Sequence, residues 1–132
     1  MSRQWVIEFA RPDEWINPNV REHWSVTYAK TRTWREATAA HVRAAGVPRL
    51  AGAHVLAEFC FADNRRRDLD NLSLKAAIDG IVDAGVLADD DYRHLIGPDR
   101  RLGPRVKGLA RIRITITELD PTGEQTCPNA LT

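Results

Sequence analysis

The sequence predicts a small α/β domain of the α+β type, in which a mixed β-sheet is combined with two main helices. Three segments alternate apolar and polar residues with a period of two, as strands with one buried face do. Two further segments carry apolar residues at helical spacing, and each of them ends at a glycine. Along the chain these segments follow one another in the order β-α-β-α-β.

The first half of the chain is predicted to contain a strand, a connection and a helix. Alternation over residues 5–9 predicts the strand. Residues 17–24 are rich in asparagine and contain a proline, so they form either a turn around one buried tryptophan, Trp24, or a loop that contacts phosphate. A helix is expected from about Thr31 to Ala45. Its predicted buried stripe consists of Trp34, Thr38, Val42 and Ala45.

The second half is predicted to contain a strand, a helix and a final strand. Alternation predicts strands over residues 54–61 and 109–117. The second helix is expected from near Asp70 to Ala84, with Gly85 as the residue that follows its C-cap. Residues 97–108 are rich in glycine, proline and arginine, and we expect a mobile loop or a hairpin there. The buried stripe of the second helix is predicted to be Leu74, Ala77, Ile78, Ile81 and Val82.

Length and composition indicate one globular domain. The chain has 132 residues, of which 43% are hydrophobic and 28% are charged. We expect a single domain over residues 1–119 and a disordered tail over residues 120–132. Cys60 and Cys127 suggest neither a disulfide framework nor a zinc site, and no apolar run approaches the length of a membrane span. The expected location is the cytoplasm, with no membrane partner.

Basic residues are concentrated between residues 92 and 113. This segment holds seven lysine and arginine residues and one acid, Asp99, although the formal net charge of the chain is only +1. Such an excess is either the footprint of a nucleic-acid-binding surface or a solvated loop and strand face, and charge alone leaves both interpretations open. The seven residues are Arg93, Arg100, Arg101, Arg105, Lys107, Arg111 and Arg113.

The most informative stretch is Arg-Arg-Arg-Asp-Leu-Asp-Asn at residues 65–71, which is followed by a second acidic cluster at residues 89–91. Aspartate is a favoured helix N-cap, so capping explains one of Asp68 and Asp70 without any further function. Capping does not explain the pair, although a solvated turn would account for the later triplet taken alone. Because the intervening helix is short, the chain can fold back and bring the two acidic clusters together.

Carboxylates beside arginines suit a hard cation that acts on phosphate. Magnesium prefers oxygen ligands and retains waters, which leaves positions for a substrate phosphate, and such an ion generates hydroxide at neutral pH. A calcium loop is excluded because Leu72, Ser73 and Asp79 stand where that loop needs an oxygen ligand, a glycine and a glutamate. The four histidines lack the spacing of metal ligands. The residues therefore favour a magnesium-dependent nuclease.

The acidic motif also carries a resemblance to a known family. Residues 65–71, together with Lys-Ala-Ala-Ile-Asp at 75–79, Ala-Gly-Val at 84–86 and the aspartates at 89–90, resemble the RusA family of Holliday-junction resolvases, common in phages and prophages. The Asn-x-Arg segment at 19–21 and the closing Ile-Thr-Ile-Thr-Glu strand match in kind and order. The resemblance therefore covers most of the chain, with its specific part between residues 65 and 91.

This resemblance implies an activity and a set of site residues. The expected protein is a RusA-like homodimer that uses Mg²⁺, and no small-molecule cofactor, to cut branched double-stranded DNA in recombination and repair. Its preferred substrate would be the four-way junction, inside a bacterial or phage-infected cell. The catalytic and metal-binding aspartates would be Asp68, Asp70 and Asp90, and the catalytic lysine would be Lys75. The candidate DNA-binding residues are Asn19, Arg21, Arg65, Arg66, Arg67, Arg100 and Arg101.

The chain departs from the family pattern ahead of the lysine. The family usually has two residues between the asparagine and the lysine, whereas three stand between Asn71 and Lys75 here. One extra residue within a helix would turn Lys75 by about 100°. We expect the extra residue to be accommodated before the lysine, which leaves Lys75 facing the site. Asp89 and Asp91 compete with Asp90 for the metal position.

Two other functions stay open on the sequence alone. The first is a DNA-binding module without catalysis, in which the aspartates only cap helices and form turns. The second is a different magnesium-dependent phosphohydrolase that acts on a nucleotide, for which no nucleotide-pocket motif is visible. Metal-dependent cleavage of DNA separates the nuclease from the binding module.

Overall fold

The computed structural model describes residues 3–91 and 93–119, and this part of the chain contains four strands and two α-helices. The predicted fold class, a small mixed sheet with two main helices, is confirmed. One strand is additional to the predicted order. The elements are β1 (Gln4–Ala10), α1 (Trp24–Ala44), β2 (Ala53–Cys60), a 3₁₀ turn (Leu69–Asn71), α2 (Lys75–Asp83), β3 (Leu95–Leu102) and β4 (Arg111–Glu118).

The four strands form one mixed sheet in the spatial order β1-β4-β2-β3. The last strand, β4, lies between β1 and β2 and runs antiparallel to both. Strand β3 pairs with β2 in parallel and forms the other edge of the sheet. The parallel pair requires a crossover between the two strands, and α2 lies within that connection.

One face of the sheet is buried beneath the two helices. The alternating residues of β1, β2 and β4 that were predicted to be apolar and buried form this face, and the stripes of α1 and α2 pack against it. Burial of these side chains is the main force that holds the helices on the sheet. The principal members of this core are Ile7, Phe9, Trp34, Val42, Val55, Phe59, Ile78, Ile81, Ile112, Ile114 and Ile116.

The opposite face of the sheet is polar and ion-paired. Arg111 and Arg113 of β4 each place Nε within hydrogen-bond distance of the Glu8 carboxylate on β1, at 2.9 and 3.0 Å. These contacts lower the pKa of Glu8, chiefly through the hydrogen bond from Arg113. Two of the seven basic residues counted as a possible nucleic-acid footprint therefore neutralise an acid within the sheet.

Helix α1 begins earlier than predicted, at Trp24 rather than near Thr31. His23 caps it, since the His23 ring nitrogen Nδ1 accepts a hydrogen bond from the Ser25 amide at 3.2 Å. The first turns of α1 bury no apolar residue: the first buried residue is Lys30, whose Nζ lies 3.0 Å from Oε1 of Glu22. Trp24 is 73% exposed, so the prediction that this tryptophan is buried is wrong. At the other end Ala45 is exposed as the C-cap and does not belong to the buried stripe.

Helix α2 begins later than predicted, at Lys75 instead of near Asp70. Residues 72–74 are not helical, because the Ser73 amide donates a hydrogen bond to the Ile16 carbonyl at 2.7 Å and is lost to the helix. The extra residue of the motif therefore lies ahead of the helix. Gly85 follows the C-cap with a φ of +87°, as predicted, in a conformation that other residues adopt at a cost.

The segment predicted as a loop or hairpin, residues 97–108, instead begins with a strand. Most of β3 falls within it, and β3 pairs with β2 over residues 95–96 and 99–102, with a shift of register between these two stretches. Sequence alternation misses this strand because only its first residue, Leu95, is buried. Charged residues along such an edge protect it from pairing with another chain.

No helix within the described ranges is long and apolar enough to cross a membrane. The predicted tail over residues 120–132, including Cys127, lies outside the described residues. Cys60, on β2, is buried and carries a free thiol.

Candidate active site

The acidic cluster that follows α2 returns to the first residue of that helix. Lys75 donates a hydrogen bond from Nζ to Oδ2 of Asp90 at 2.7 Å. The same ammonium lies 3.1 Å from Oδ1 of Asp79, one turn further along α2. One cation therefore holds two carboxylates that come from different parts of the chain.

These contacts shift the titration of both partners toward their charged forms. The hydrogen bond from Lys75 holds the pKa of Asp90 below its ordinary value, and the charge of Lys75 adds to this effect. Asp90 and then Asp79 raise the pKa of Lys75 in return. At neutral pH the site therefore contains a charged Lys75 beside a charged Asp90.

The three consecutive aspartates after α2 have different partners. Asp89 accepts a hydrogen bond from the Asp90 amide at 2.7 Å, so it shapes the turn. Asp91 lies 2.6 Å from Nδ1 of His94 and also accepts from the Arg93 amide. Only Asp90 of this triplet contacts Lys75, which distinguishes it geometrically from its two neighbours.

Asp68 and Asp70 lie on the 3₁₀ turn that precedes α2. Asp68 is the N-cap of this turn, and its Oδ1 accepts a hydrogen bond from the Asp70 amide at 3.1 Å. Both residues are exposed, so their carboxylates can be reached from solvent. The capping role anticipated for one aspartate of the pair belongs to Asp68.

The carboxylates do not form a closed metal site by themselves. Among residues 3–91 and 93–119, no three histidine, cysteine, aspartate or glutamate side chains form a group that could hold a metal ion. The structure places Asp68 and Asp70 on one turn and Asp90 against Lys75, and it does not gather all three into one cluster. The donor type still fits magnesium, which is commonly held by one or two carboxylates while water and phosphate complete its shell.

The early Asn-x-Arg segment reaches the acidic motif. Asn19 donates a hydrogen bond from Nδ2 to Oδ1 of Asn71 at 3.0 Å, although 52 residues separate the two. This contact joins the connection before α1 to the end of the 3₁₀ turn. Arg21, two positions after Asn19 in the sequence, is exposed.

The three arginines ahead of the motif differ in how firmly they are held. Arg67 is 24% exposed, and its Nη1 lies 2.9 Å from Oδ1 of Asp63. Its guanidinium carbon lies 3.8 Å from the centre of the Phe61 ring. Arg65 is 80% exposed, and its Nε lies at the longer distance of 3.6 Å from Oδ2 of the same aspartate. Arg66 is also exposed. Arg67 is thus oriented by the protein, whereas the other two extend into solvent.

The two candidate arginines of β3 lie on opposite faces of the sheet, since successive strand residues alternate. Arg100 donates from Nε to the Leu72 carbonyl at 3.4 Å. It also lines a depression of about 250 Å³ together with Lys75 and Asp90. Arg101 is in register with Glu58, on the polar face of the sheet. The structure therefore brings Arg100 to the site and leaves Arg101 away from it.

Sequence reasoning did not assign a role to two charged residues beside the site. Asp79 shares the Lys75 ammonium, and Arg35 of α1 lies 3.8 Å from Asp79 and forms a two-pronged contact with Asp83. The four-residue spacing of Lys75 and Asp79 on a helix was a visible signal for the first contact. The contact of Arg35 depends on how α1 crosses α2, so the sequence contains no comparable signal for it.

No protein-family model matches this chain, and no curated protein matches it.

Proposed function

We propose that this protein is a magnesium-dependent endodeoxyribonuclease of the RusA type that cuts branched DNA, above all four-way junctions. The observation that carries the proposal is the contact between Lys75 and Asp90. It places a charged lysine and a carboxylate from two separate parts of the motif at one point on the surface. Pairing of an exposed lysine with two carboxylates adds little stability, so a structural role alone is a weak reason for this arrangement.

Each residue has a definite task in this proposal. Asp68, Asp70 and Asp90 would hold magnesium, which when bound activates water and neutralises charge on the scissile phosphate. Lys75 keeps a fixed positive charge beside Asp90, where it stabilises the negative charge that develops on the phosphate oxygens. Asp79 holds the lysine from its other side.

DNA binding is assigned to the residues around this centre. Arg100 shares a depression with Lys75 and Asp90, and Arg65 and Arg66 are exposed beside the acidic turn. Positive side chains at these positions bind the phosphates that flank the cut. Two symmetric cuts in a four-way junction require two such sites related by a two-fold axis, so we propose a homodimer.

The decisive experiment incubates the full chain with an end-labelled four-way junction, with and without magnesium. We expect paired cuts near the branch point only when magnesium is present, and slower cutting of a linear duplex of the same sequence. Sedimentation of the same preparation at micromolar concentration should show a dimer. Binding of the junction without any cutting in magnesium would reject the nuclease.

A DNA-binding module without catalysis is the second candidate. Its support is that Asp68 caps the 3₁₀ turn and that Asp90 is already neutralised by Lys75, so both acids have structural partners. Asp70 is not explained in this way, because its carboxylate has no hydrogen-bond or ion-pair partner among the described residues. The cleavage experiment distinguishes the two candidates.

A further inference from the structure

A groove that the proposed metal-dependent cleavage does not use lies beside the acidic turn, and it shares only Arg65 with the residues assigned to DNA binding above. Its volume is about 530 Å³, and its walls include Arg11, Trp15, Phe61, Arg65 and Arg67. A second depression of about 250 Å³ contains Asp68 and Asn71. Trp15, Phe61 and Arg67 line both spaces, so the groove continues toward the acidic turn.

One wall of the groove is a fixed stack of a cation on an aromatic ring. The Phe61 ring is buried, and the Arg67 guanidinium carbon lies 3.8 Å from its centre. Asp63 holds the same guanidinium at 2.9 Å and keeps it in place. Guanidinium groups and aromatic rings are the surfaces on which proteins stack unpaired bases.

The neighbouring wall is also preformed. Trp15 is half-buried, and its ring packs 5.3 Å from the ring of Trp34, measured between ring centres. It also makes edge contacts with Phe59 and Phe61, at 5.2 and 5.7 Å. The Trp34 indole donates to the Glu14 carbonyl at 2.9 Å, which anchors the segment that carries Trp15. An aromatic surface held in this way loses little conformational freedom when a ligand stacks on it.

The charges around the groove favour an anionic chain. Arg11, Arg65 and Arg67 supply three guanidinium groups, whereas Glu14 and Asp63 supply two carboxylates. Asp63 pairs closely with Arg67 at 2.9 Å and more loosely with Arg65 at 3.6 Å. Glu14 is 77% exposed, and its carboxylate lies 3.9 Å from Nζ of Lys30. Arg65 is 80% exposed at the rim and can reach a phosphate.

We propose that this groove binds an unpaired nucleotide of the DNA next to the cleavage site. The base lies against Trp15 and Arg67, and the flanking phosphates are held by Arg11 and Arg65. A continuous duplex supplies such a base only at the cost of unpairing and unstacking it, and this cost is lower beside a branch point, where the stack of bases is interrupted. The inference rests on the proposed action on DNA and adds the feature by which the same site would distinguish branched DNA.

The test measures binding rather than cleavage, with the full chain and no magnesium. Fluorescence anisotropy compares an oligomer of about eight thymidines with an abasic sugar-phosphate of the same length and with a hairpin duplex. We expect the thymidine oligomer to bind about tenfold more tightly than the abasic chain, because stacking on protein side chains adds to phosphate contacts.

Two variants assign the effect to the groove. Arg67→Lys keeps the charge but removes the flat guanidinium, so it should abolish most of the tenfold preference while affinity for the abasic chain changes little. Arg11→Ala should lower the affinity for both the thymidine oligomer and the abasic chain. Arg49→Ala, an exposed arginine that is not among the groove residues, is the control and should alter neither value. Circular dichroism verifies that each variant is folded.

Equal affinity of the wild-type chain for the thymidine and abasic oligomers would overturn the proposal, and so would a full preference in folded Arg67→Lys. The result of this binding test does not depend on whether the protein cuts DNA. A base preference that Arg67→Lys abolishes, in a protein that leaves junctions intact, would uphold the groove and reject the cleavage activity. Junction cleavage without any base preference would do the reverse.

Discussion

Lys75 and Asp90 share a hydrogen bond of 2.7 Å across 15 residues of sequence. One is the first residue of α2, and the other lies in the turn region that follows this helix. The helix is nine residues long, so the chain after it folds back over its full length to make the contact. The proposed active site therefore depends on both ends of one short helix.

Replacement of Lys75 by alanine should slow junction cleavage by roughly ten- to a thousandfold. This corresponds to a loss of about 1.4 to 4 kcal/mol of transition-state stabilisation, because the positive charge beside the scissile phosphate is removed. Single-turnover rates at saturating DNA measure the effect. Arg32→Ala, which removes an exposed cation from α1, is the control and should cut at the wild-type rate. An equal rate in folded Lys75→Ala would contradict the role of the lysine.

The same substitution should raise the pKa of the Asp90 carboxyl. Its pKa is depressed because Lys75 donates a hydrogen bond to the charged form, so loss of the lysine should return it toward the ordinary value of about 3.9. A carbon-13 NMR titration of labelled aspartate side chains measures this change in the absence of DNA and metal. An Asp90 pKa that does not move would show that the contact is not maintained in solution.

Asp70→Asn should abolish cleavage and leave junction binding unchanged or slightly tighter. The substitution removes a carboxylate ligand and one negative charge, while the surrounding arginines are untouched. Gel-shift affinity and magnesium-dependent cutting are measured on the same preparation. Glu36→Gln, on the exposed surface of α1, is the matched control and should behave as wild type. Loss of binding together with cutting would instead indicate a structural role for Asp70.

The two arginines of β3 should differ in their effect on DNA affinity. Arg100 lines the depression beside Lys75, so Arg100→Ala should weaken junction binding and reduce its dependence on salt by about one phosphate contact. Arg101→Ala removes the same charge from the polar face of the sheet and is the matched control. Equal dependence of DNA affinity on salt in the two variants would instead support the interpretation of β3 as a solvated strand edge without a role in DNA binding.

Gly80→Ala should destabilise the fold, although alanine is usually the better helix residue by about 0.5–1 kcal/mol. A methyl group at Gly80 would lie 2.6 Å from the Arg35 carbonyl oxygen and 2.8 Å from Cβ of Thr38, where α1 packs on α2. We expect a loss of about 1–3 kcal/mol in the free energy of unfolding, measured with urea. Gly85→Ala, where no neighbour lies within 4 Å, should show only a backbone cost of about 1–2 kcal/mol. A Gly80→Ala variant more stable than wild type would contradict the close helix packing.

The fold class was predictable from the sequence, and the sequence also supplied the residues proposed for the candidate site. Strands β1, β2 and β4 each bury one face, so burial imposes a period of two on their residues, and the stripe of α2 reflects burial in the same way. The spacing of the motif was visible because its residues lie within one short stretch of the chain. These residues are Asp68, Asp70, Lys75 and Asp90. Strand β3 was missed because an edge strand with one buried residue leaves no alternation to detect.

Only the tertiary structure decided which of these residues meet. The choice of Asp90 over Asp89 and Asp91 follows from the path of the turn after α2, and that path is set by hydrogen bonds to backbone amides. The direction of Lys75 follows from the start of α2, which depends on a bond between Ser73 and Ile16 across the fold. The separation of Arg100 from Arg101 follows from the pairing of β3 with β2. Each is a contact between segments distant in sequence, and such contacts form only when burial of the common core brings those segments together.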